Sequence, residues 1–303
     1  MIYRRLGRSG LRVSVVGIGA WQFGGEWGRA FSVAEVASIL DRAAELGVNL
    51  VDTAECYGDH VSERLIGQAL SGKRERWLIA TKFGHRWTGH LARADRWQPA
   101  QVRQQLEASL RALQTEFIDL YQFHSGGNAV FENDELWAML DEQVRLGKVR
   151  HLGVSVSSKG DPMPQIERAT VVGASVIQIV YNRLERGPEA AALPTCQAHD
   201  LGVLARVPLA SGLLSGKYRP GTQFTQPDDM RSSLADDRVQ AQLAEVERIR
   251  REEVPVGVEM AAWALAWCLR HPAVSSVIPG CKSVAQVEAN ASVIALVGDS
   301  CKP

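Results

Sequence analysis

Val48-Asn49-Leu50-Val51-Asp52-Thr53-Ala54-Glu55-Cys56-Tyr57-Gly58 passes without a break from a short apolar run into a polar turn. The run from Val48 to Val51 has the pattern of a strand buried on both faces. Where it ends, it presents Asp52, Glu55 and Tyr57. A carboxylate and a phenol at that point fit a solvated loop whose Tyr packs on a neighbour. They fit equally the rim of an active site, because parallel α/β folds hold their ligands at the carboxyl ends of the strands. The flanking segments decide between the two.

Downstream, a helix is expected through Arg64, Leu65, Ile66 and Leu70, and residues 77–81 read as a strand leading directly into Lys82. Residues 83–98 read as a polar, aromatic loop. Pro99 then occupies a helix's first turn, where a missing N–H is harmless, with Val102, Leu106, Leu110 and Leu113 on its buried face. Residues 117–123 form the next expected strand and deliver His124, and Asp134 opens a helix that stops at Gly147. Further strands are expected at 149–156, 176–180 and 203–208, with a short helix around Pro194 between the last two. The segment 211–236 lacks periodicity and reads as an active-site loop. Helices at 237–251 and 256–270, a strand at 276–278 and a helix at 283–297 complete the chain.

Upstream, residues 1–15 read as a hairpin turning at Gly7, Ser9 and Gly10, and Val15 to Ala20 as a first buried strand. Ser32 with Glu35 is a capping box for a helix that stops at Gly47. Strands thus alternate with helices eight times, with no composition break to mark a linker. That alternation specifies a parallel sheet with right-handed crossovers. Eight units in 303 residues fit a closed (β/α)8 TIM barrel better than an open doubly wound sheet. The expected architecture is one domain over residues 1–303, with an N-terminal β-hairpin and extra helices and loops near the C-terminus.

Bulk composition excludes several function classes. With 34 basic and 34 acidic residues the net charge is zero, so no global field favours nucleic acid or an acidic membrane. Cys56, Cys196, Cys268, Cys281 and Cys301 are odd in number and form no CxxC pair, which argues for reduced thiols in a cytoplasmic setting and against structural zinc. His60, His85, His90, His151, His199 and His271 have no metal-ligand spacing and read as structural or surface residues. The start of the chain lacks a signal-peptide core, and Met260 to Leu269 is too short to span a bilayer. No heptad or large apolar stripe asks for a partner, so the oligomeric state stays open.

Three successive strand ends carry reactive groups: Asp52 and Tyr57, then Lys82, then His124. Any one of them alone is most simply a surface or structural residue. On adjacent barrel strands they fall within side-chain reach of one another. Tyr titrates near ~10 and Lys near ~10.4, and an ammonium beside Tyr57 is expected to lower the phenol's pKa for proton transfer to a carbonyl oxygen. Asp52 would hold Lys82 charged, and His124 would orient the carbonyl. None of the four can deliver a hydride, so a cofactor is required. Gly17-Ile18-Gly19 is a weak nucleotide fingerprint, lacking the third glycine. Ile278-Pro279-Gly280-Cys281-Lys282-Ser283 leads from a strand into a helix that Ser283 and Gln286 are placed to cap. That terminus is an anion site or an ordinary capped helix.

Asp52 to Gly58, Ala80-Thr81-Lys82-Phe83-Gly84, Asp119-Leu120-Tyr121-Gln122-Phe123-His124, Gly153-Val154-Ser155, Gln178-Ile179-Val180-Tyr181-Asn182, residues 208–217, Ala264-Leu265-Ala266-Trp267 and Ile278-Pro279-Gly280 with Asn290 together resemble the aldo-keto reductase superfamily, in its order and nearly end to end. The resemblance implies NADPH-dependent reduction of aldehydes or ketones, or the reverse oxidation, acting on a small-molecule substrate without metal. It implies Tyr57 as general acid, Lys82 and Asp52 as its tuning pair and His124 as the orienting group. Ser155 and Gln178 would bind the nicotinamide carboxamide, with Gly19, Ala20 and Trp21 beside the cofactor. Leu209, Ser211, Gly212 and Leu214 would cover the pyrophosphate. Gly280, Lys282, Ser283, Gln286 and Asn290 would hold the adenosine end, with Lys282 and Ser283 placed for a 2′-phosphate.

Three positions depart from the family pattern. Val156 stands where Asn often follows the serine, Arg206 where a Tyr often stacks on the nicotinamide, and Gln286 where an Arg often joins the phosphate-binding Lys. NADPH is expected ahead of NADH. Trp21, Trp27 and Trp87 lie in strand-exit loops and are expected to line the substrate site, whereas Tyr121 is expected in the core. Asp229 and Arg231 fit an ion pair over the cofactor or a solvated loop. The chain ends soon after its last expected helix, which implies an open substrate pocket. Two alternatives share the fold: an aldose dehydrogenase working in the oxidative direction, and a cofactor-sensing regulatory subunit of the potassium-channel β type.

Overall fold

Tyr3–Arg5 (β1) and Arg12–Ser14 (β2) pair antiparallel with Tyr3 opposite Ser14, forming the expected hairpin. In this computed structural model, which describes residues 1–226, 229–233 and 235–298, the hairpin covers the amino-terminal ends of a parallel barrel. Gly7 bridges to Leu201, and the Ser14 N–H donates to Asn49 Oδ1, just ahead of two barrel strands. Leu6 and Val13 pack against Leu50, Ala80, Leu120, Val176, Leu204 and Ile278, an apolar layer inside the barrel. One end of the barrel is thereby sealed and the carboxyl end is left for a site. Cys301 lies outside the described residues.

The further strands are β3 (Ile18–Gly19), β4 (Leu50–Asp52), β5 (Leu78–Phe83), β6 (His85–Gly89), β7 (Ala92–Asp95), β8 (Ile118–His124), β9 (Val149–Ser155), β10 (Ala174–Val180), β11 (Gly202–Arg206) and β12 (Val274–Ile278). β3, β4, β5, β8, β9, β10, β11 and β12 lie side by side in that order, each pairing parallel. Bridges between Val16 and Val277 and between Gly19 and Gly280 bring the last strand against the first. The Gly17 N–H donates to Val277 O at 2.8 Å and the Gly19 N–H to Pro279 O at 2.9 Å, closing the barrel. The expected (β/α)8 barrel is therefore the fold.

Around it run α1 (Val33–Glu45), α2 (Val61–Ala69), α3 (Pro99–Ala112), α4 (Asn128–Phe131), α5 (Asp134–Arg145), α6 (Met163–Arg168), α7 (Ala192–Ala198), α8 (Asp236–Glu252), α9 (Met260–Leu269) and α10 (Val284–Ala291). Helix α1 begins at the Ser32–Glu35 capping box and buries Val36, Ile39, Leu40 and Ala43 at helical spacing. Tyr121 is fully buried in the core, as its strand position implied. Among the described residues no helix is long and apolar enough to cross a membrane.

The structure corrects the sequence reading at several points. Strand β5 runs on to Phe83, so Lys82 lies inside the strand rather than after it. The loop expected over 83–98 contains an antiparallel ribbon, β6–β7, pairing His85 with Asp95 and Trp87 with Arg93. Its polar residues give no apolar alternation for a strand signal to register. Helices α4 and α6 are too short to show a period. Helix α10 stops at Ala291 and continues as a 3₁₀ turn over Ser292–Ala295. The reciprocal cap expected there is only half formed. Ser283 Oγ accepts from the Gln286 N–H, but Gln286 Oε1 accepts from the Lys282 N–H at 2.7 Å rather than from that of Ser283.

Candidate active site at the carboxyl end of the barrel

Asp52 ends β4, Lys82 lies near the end of β5 and His124 ends β8, three successive barrel strands, and Arg206 ends β11, so their side chains are delivered to one face. Tyr57 follows β4 in a tight turn closed by the Tyr57 N–H bond to Ala54 O and the His60 N–H bond to Glu55 O. Gly58 makes this turn possible: at φ +65 a Cβ there would fall 2.1 Å from Gly24 O. The close approach seats the loop after β3 against the turn and stacks Trp21 on Tyr57, ring centroids 6.0 Å apart.

Four of the sequence-assigned residues form one connected group. Lys82 Nζ donates to Asp52 Oδ2 at 2.6 Å and to Thr53 O at 2.7 Å, and lies 3.4 Å from Tyr57 Oη. The His124 ring meets Tyr57 edge-on at 6.1 Å. Lys82 is 1% and Asp52 4% exposed, so the pair is desolvated. Asp52 is held on its other oxygen as well, where Oδ1 accepts from Gln178 Nε2 at 2.7 Å and Gln122 Nε2 at 3.0 Å. Gln178 Oε1 in turn accepts from Ser155 Oγ at 3.3 Å. Sequence reasoning passed over Gln122. The signal was the alternation Leu120, Gln122, His124, which puts Gln122 on the inward face with the histidine.

Electrostatics distinguish these groups. Burial pulls Lys82 down, but Asp52 and Tyr57 more than offset it, so the ammonium stands above its ordinary value. Burial pushes Tyr57 up; Lys82 opposes and Asp52 reinforces, and the net direction is upward. The lowering expected from Lys82 is thus present but outweighed. Burial, followed by Lys82, His85, Arg93 and Arg206, holds His124 well below its usual range, so its imidazole is neutral at neutral pH. Cys56, its thiol pushed up to about 11 by burial, sits 3.7 Å from His124 Nδ1. A protonated thiol there donates to Nδ1, and by that assignment the ring's proton resides on Nε2.

A cleft of about 830 Å³ opens over this group. Gly19, Ala20, Trp21, Gln178 and Arg206 line it beside the Tyr57–Lys82 group, as do Leu209, Ser211 and Gly212 farther along and Gly280, Lys282, Gln286 and Asn290 at the far end. Ser155 and Leu214 are buried behind the wall, and Ser283 caps α10. Trp27 lines the cleft; Trp87, on β6, does not. Asp229 and Arg231 form an ion pair at 2.6 Å, and Arg231 Nη1 donates to Ser211 O at 3.3 Å, so that segment crosses the cleft wall.

The sequence reading missed three residues at the other end. His85, read as structural, lines the cleft with its ring 5.3 Å from that of His124. Arg93 also lines it, and its Nε donates to Cys56 Sγ at 3.1 Å. Glu26, 2% exposed, accepts from Arg93 Nη2 at 2.9 Å and from Trp21 Nε1 at 2.6 Å. No local pattern links Glu26 to Arg93.

The cleft suits an anionic dinucleotide in two respects. Arg206 Nε is buried without a hydrogen-bond partner, a donor left for a bound group. At the far end, burial and then the cations Arg231, Lys217 and Arg29 depress Lys282, with Asp229 opposing, at the N-terminus of α10. Crowded cations at a helix N-terminus favour phosphate.

Residues 15–300 match the family model described as the aldo/keto reductase family. A probable voltage-gated potassium channel β subunit of Arabidopsis thaliana is 30% identical over 98% of this chain and 92% of its own length. Among solved structures, an aldo-keto reductase of Bacillus halodurans in its holo form superposes with a TM-score of 0.81 at 32% identity, covering 97% of this chain and 91% of that one. The glycerol dehydrogenase of Gluconobacter oxydans gives 0.83 at 31%, covering 96% and 89%. With its reactive groups gathered at the open end of the barrel, and matched along nearly its whole length, the chain belongs to the aldo/keto reductase family, oxidoreductases that use nicotinamide cofactors.

Proposed function

We propose that the chain, acting as one domain in a reducing compartment such as the cytoplasm, reduces aldehydes or ketones reversibly to alcohols with NADPH, Tyr57 being the general acid. The observation that carries this reading is the buried Lys82, bonded to Asp52 and Thr53 O and within 3.4 Å of the Tyr57 hydroxyl. Nicotinamide, when bound, supplies the hydride. Tyr57 gives its proton to the carbonyl oxygen, and the ammonium of Lys82 stabilises the phenolate left behind. Asp52 keeps Lys82 charged in a site where burial alone would discharge it. His124 donates from Nε2 to the same oxygen and orients it.

Gln178 and Ser155 are assigned to the carboxamide, with Gly19, Ala20, Trp21 and Arg206 around the nicotinamide. Leu209, Ser211, Gly212 and Leu214 are assigned to the pyrophosphate. Gly280, Lys282, Ser283, Gln286 and Asn290 are assigned to the adenosine end. The cations around Lys282 support NADPH over NADH, since a 2′-phosphate adds negative charge where they converge. Free buried thiols at Cys56, Cys196, Cys268 and Cys281 support a reducing compartment.

The test compares wild type with Tyr57→Phe by loss of NADPH absorbance with a reactive aromatic aldehyde. The expected loss in the mutant is about 10²–10⁴-fold, the range for a positioned general acid. Full activity in the mutant would overturn Tyr57. Tight NADPH binding without turnover in either protein would favour a cofactor-sensing regulatory role, a reading to which the likeness to a probable potassium channel β subunit lends support. The glycerol dehydrogenase likeness supports one further comparison, NADP+ against NAD+ reduction with polyols; faster turnover there than with carbonyls would make oxidation the working direction.

A further inference from the structure

We propose that Arg93 is a substrate-recognising residue that selects carbonyl compounds carrying a second, uncharged oxygen, hydroxyl or keto, on the carbon next to the carbonyl. The inference rests on the carbonyl-reductase reading above and concerns its substrate class.

Three of the guanidinium's five N–H bonds have partners. Nε donates to Cys56 Sγ at 3.1 Å, and Nη2 donates to both oxygens of Glu26, at 2.9 and 3.2 Å. Nη1 has no partner among the described residues, and the side chain, 22% exposed, lines the cleft. Nη1 thus carries two N–H groups without a protein partner on a side chain that is partly exposed and lines the cleft, while the Nε–Nη2 edge is fixed. Arg93 and His124 also touch the same atom, since Cys56 Sγ lies 3.7 Å from His124 Nδ1. A carbonyl oxygen held between Tyr57 and His124 thus has Arg93 one side chain away. The substituent on the adjacent carbon is the part of a small substrate that can reach it.

The surroundings set the kind of oxygen. Glu26 already balances the charge of Arg93, is 2% exposed, and is further tied by Trp21 Nε1 and the Leu91 N–H. A carboxylate brought to Nη1 would meet that buried carboxylate behind the guanidinium, whereas a hydroxyl or keto oxygen would not. Ser125 and a neutral His124 add no acceptor charge at this end. Because Glu26 ties Trp21 to the β6–β7 ribbon, the donor is preorganised rather than recruited, which strengthens discrimination between isosteres.

The experiment compares kcat/KM for lactaldehyde, 2-methylpropanal and glyoxylate with NADPH. The first two differ only by hydroxyl against methyl. Wild type is expected to favour lactaldehyde over 2-methylpropanal by about tenfold or more, as a hydrogen bond from a charged donor allows. In the double variant Glu26→Gln/Arg93→Gln, which replaces the buried ion pair by amides without stranding either charge, that ratio is expected to fall to about one, chiefly through KM. Arg93→Lys, which keeps a cation for Glu26 but lacks the free Nη1 pair, carries the same ratio test should the double variant fail to fold. A wild-type ratio near one, or a ratio that survives in the folded variant, overturns the proposal. Glyoxylate preferred to lactaldehyde also overturns it, in favour of anion recognition. Absence of wild-type turnover with 2-methylpropanal, lactaldehyde and the aromatic aldehyde alike would instead refute the carbonyl-reductase reading on which the proposal rests.

Discussion

Replacing Asp52 by Asn keeps the side chain's shape and removes its charge, and the cost is set by the partners around it. Oδ2 accepts from the Lys82 ammonium at 2.6 Å, while Oδ1 accepts from Gln178 and Gln122. An amide offers one acceptor oxygen and one donor nitrogen. If the nitrogen faces Lys82, a 1%-exposed ammonium loses its counter-ion and keeps Thr53 O and, at 3.4 Å, the Tyr57 hydroxyl. Breaking a buried pair in this way costs about 3–5 kcal/mol. If the nitrogen faces the glutamines instead, two buried donors meet a third, at about 1–3 kcal/mol for the unsatisfied groups. The lower-energy choice sets the loss, so Asp52→Asn is expected to destabilise by at least about 1 and at most about 3 kcal/mol near neutral pH.

The pH dependence comes from the sign of the Lys82 shift. In wild type the folded pKa is raised above the ordinary value of Lys, so the associated stability is fully present below that value and is lost only in strong alkali. Without Asp52 the lowering by burial loses its largest opponent, and Lys82 in the folded state is expected to fall below its unfolded value. The unfolded chain then binds the extra proton, so stability rises with pH towards the unfolded pKa near ~10.4. Urea midpoints for both proteins at pH 6 and pH 9 are the assay. The deficit of Asp52→Asn is expected to shrink at pH 9, and kcat to fall because Lys82 no longer supports a Tyr57 phenolate. An equal deficit at both pH values, or one below about 0.5 kcal/mol, would refute the assignment of Asp52 as the group that keeps Lys82 charged.

Two further perturbations probe the same loop. Glu55, 3% exposed, is pushed up to about 7 by burial, with Glu63 and Asp59 adding and His60 opposing. A carboxyl whose folded pKa lies above its unfolded one favours folding while protonated, so its contribution declines as pH rises from about 4.5 to about 7. Glu55→Gln is expected to be nearly neutral at pH 5 and to stabilise at pH 8 by up to about 3 kcal/mol, read as the difference in urea midpoint; no pH dependence of that difference would contradict the shift. Gly58→Ala places a Cβ 2.1 Å from Gly24 O at a left-handed φ. It is expected to destabilise by at least about 1–2 kcal/mol. It should also lower kcat on the order of 100-fold if Tyr57 moves by ~1 Å; wild-type thermal stability and activity would show that the close approach of the two loops is dispensable.

What the sequence made legible was whatever depends on period and strand ends. The run at Leu50–Asp52 showed as a buried strand because both faces carry apolar side chains, and its place among eight alternating units specified the barrel. Asp52, Tyr57, Lys82 and His124 are legible as one group from the sequence because a parallel barrel brings consecutive carboxyl ends together. The ribbon β6–β7 was opaque for the complementary reason. Its strands, His85–Gly89 and Ala92–Asp95, pack no continuous apolar face, so nothing in their order announces pairing. Contacts that join distant loops were opaque too. Glu26 meets Arg93, and Arg93 meets Cys56, only because Gly58 lets the loop after β3 settle on the Tyr57 turn. Contacts between loops are where members of one fold are free to differ, because function lives in sites that loops build on a shared scaffold. The division has a consequence for function. On the proposed mechanism the strand-end group moves a proton to almost any carbonyl oxygen. On that reading selectivity comes from side chains such as Arg93, whose position is a tertiary fact rather than a local pattern.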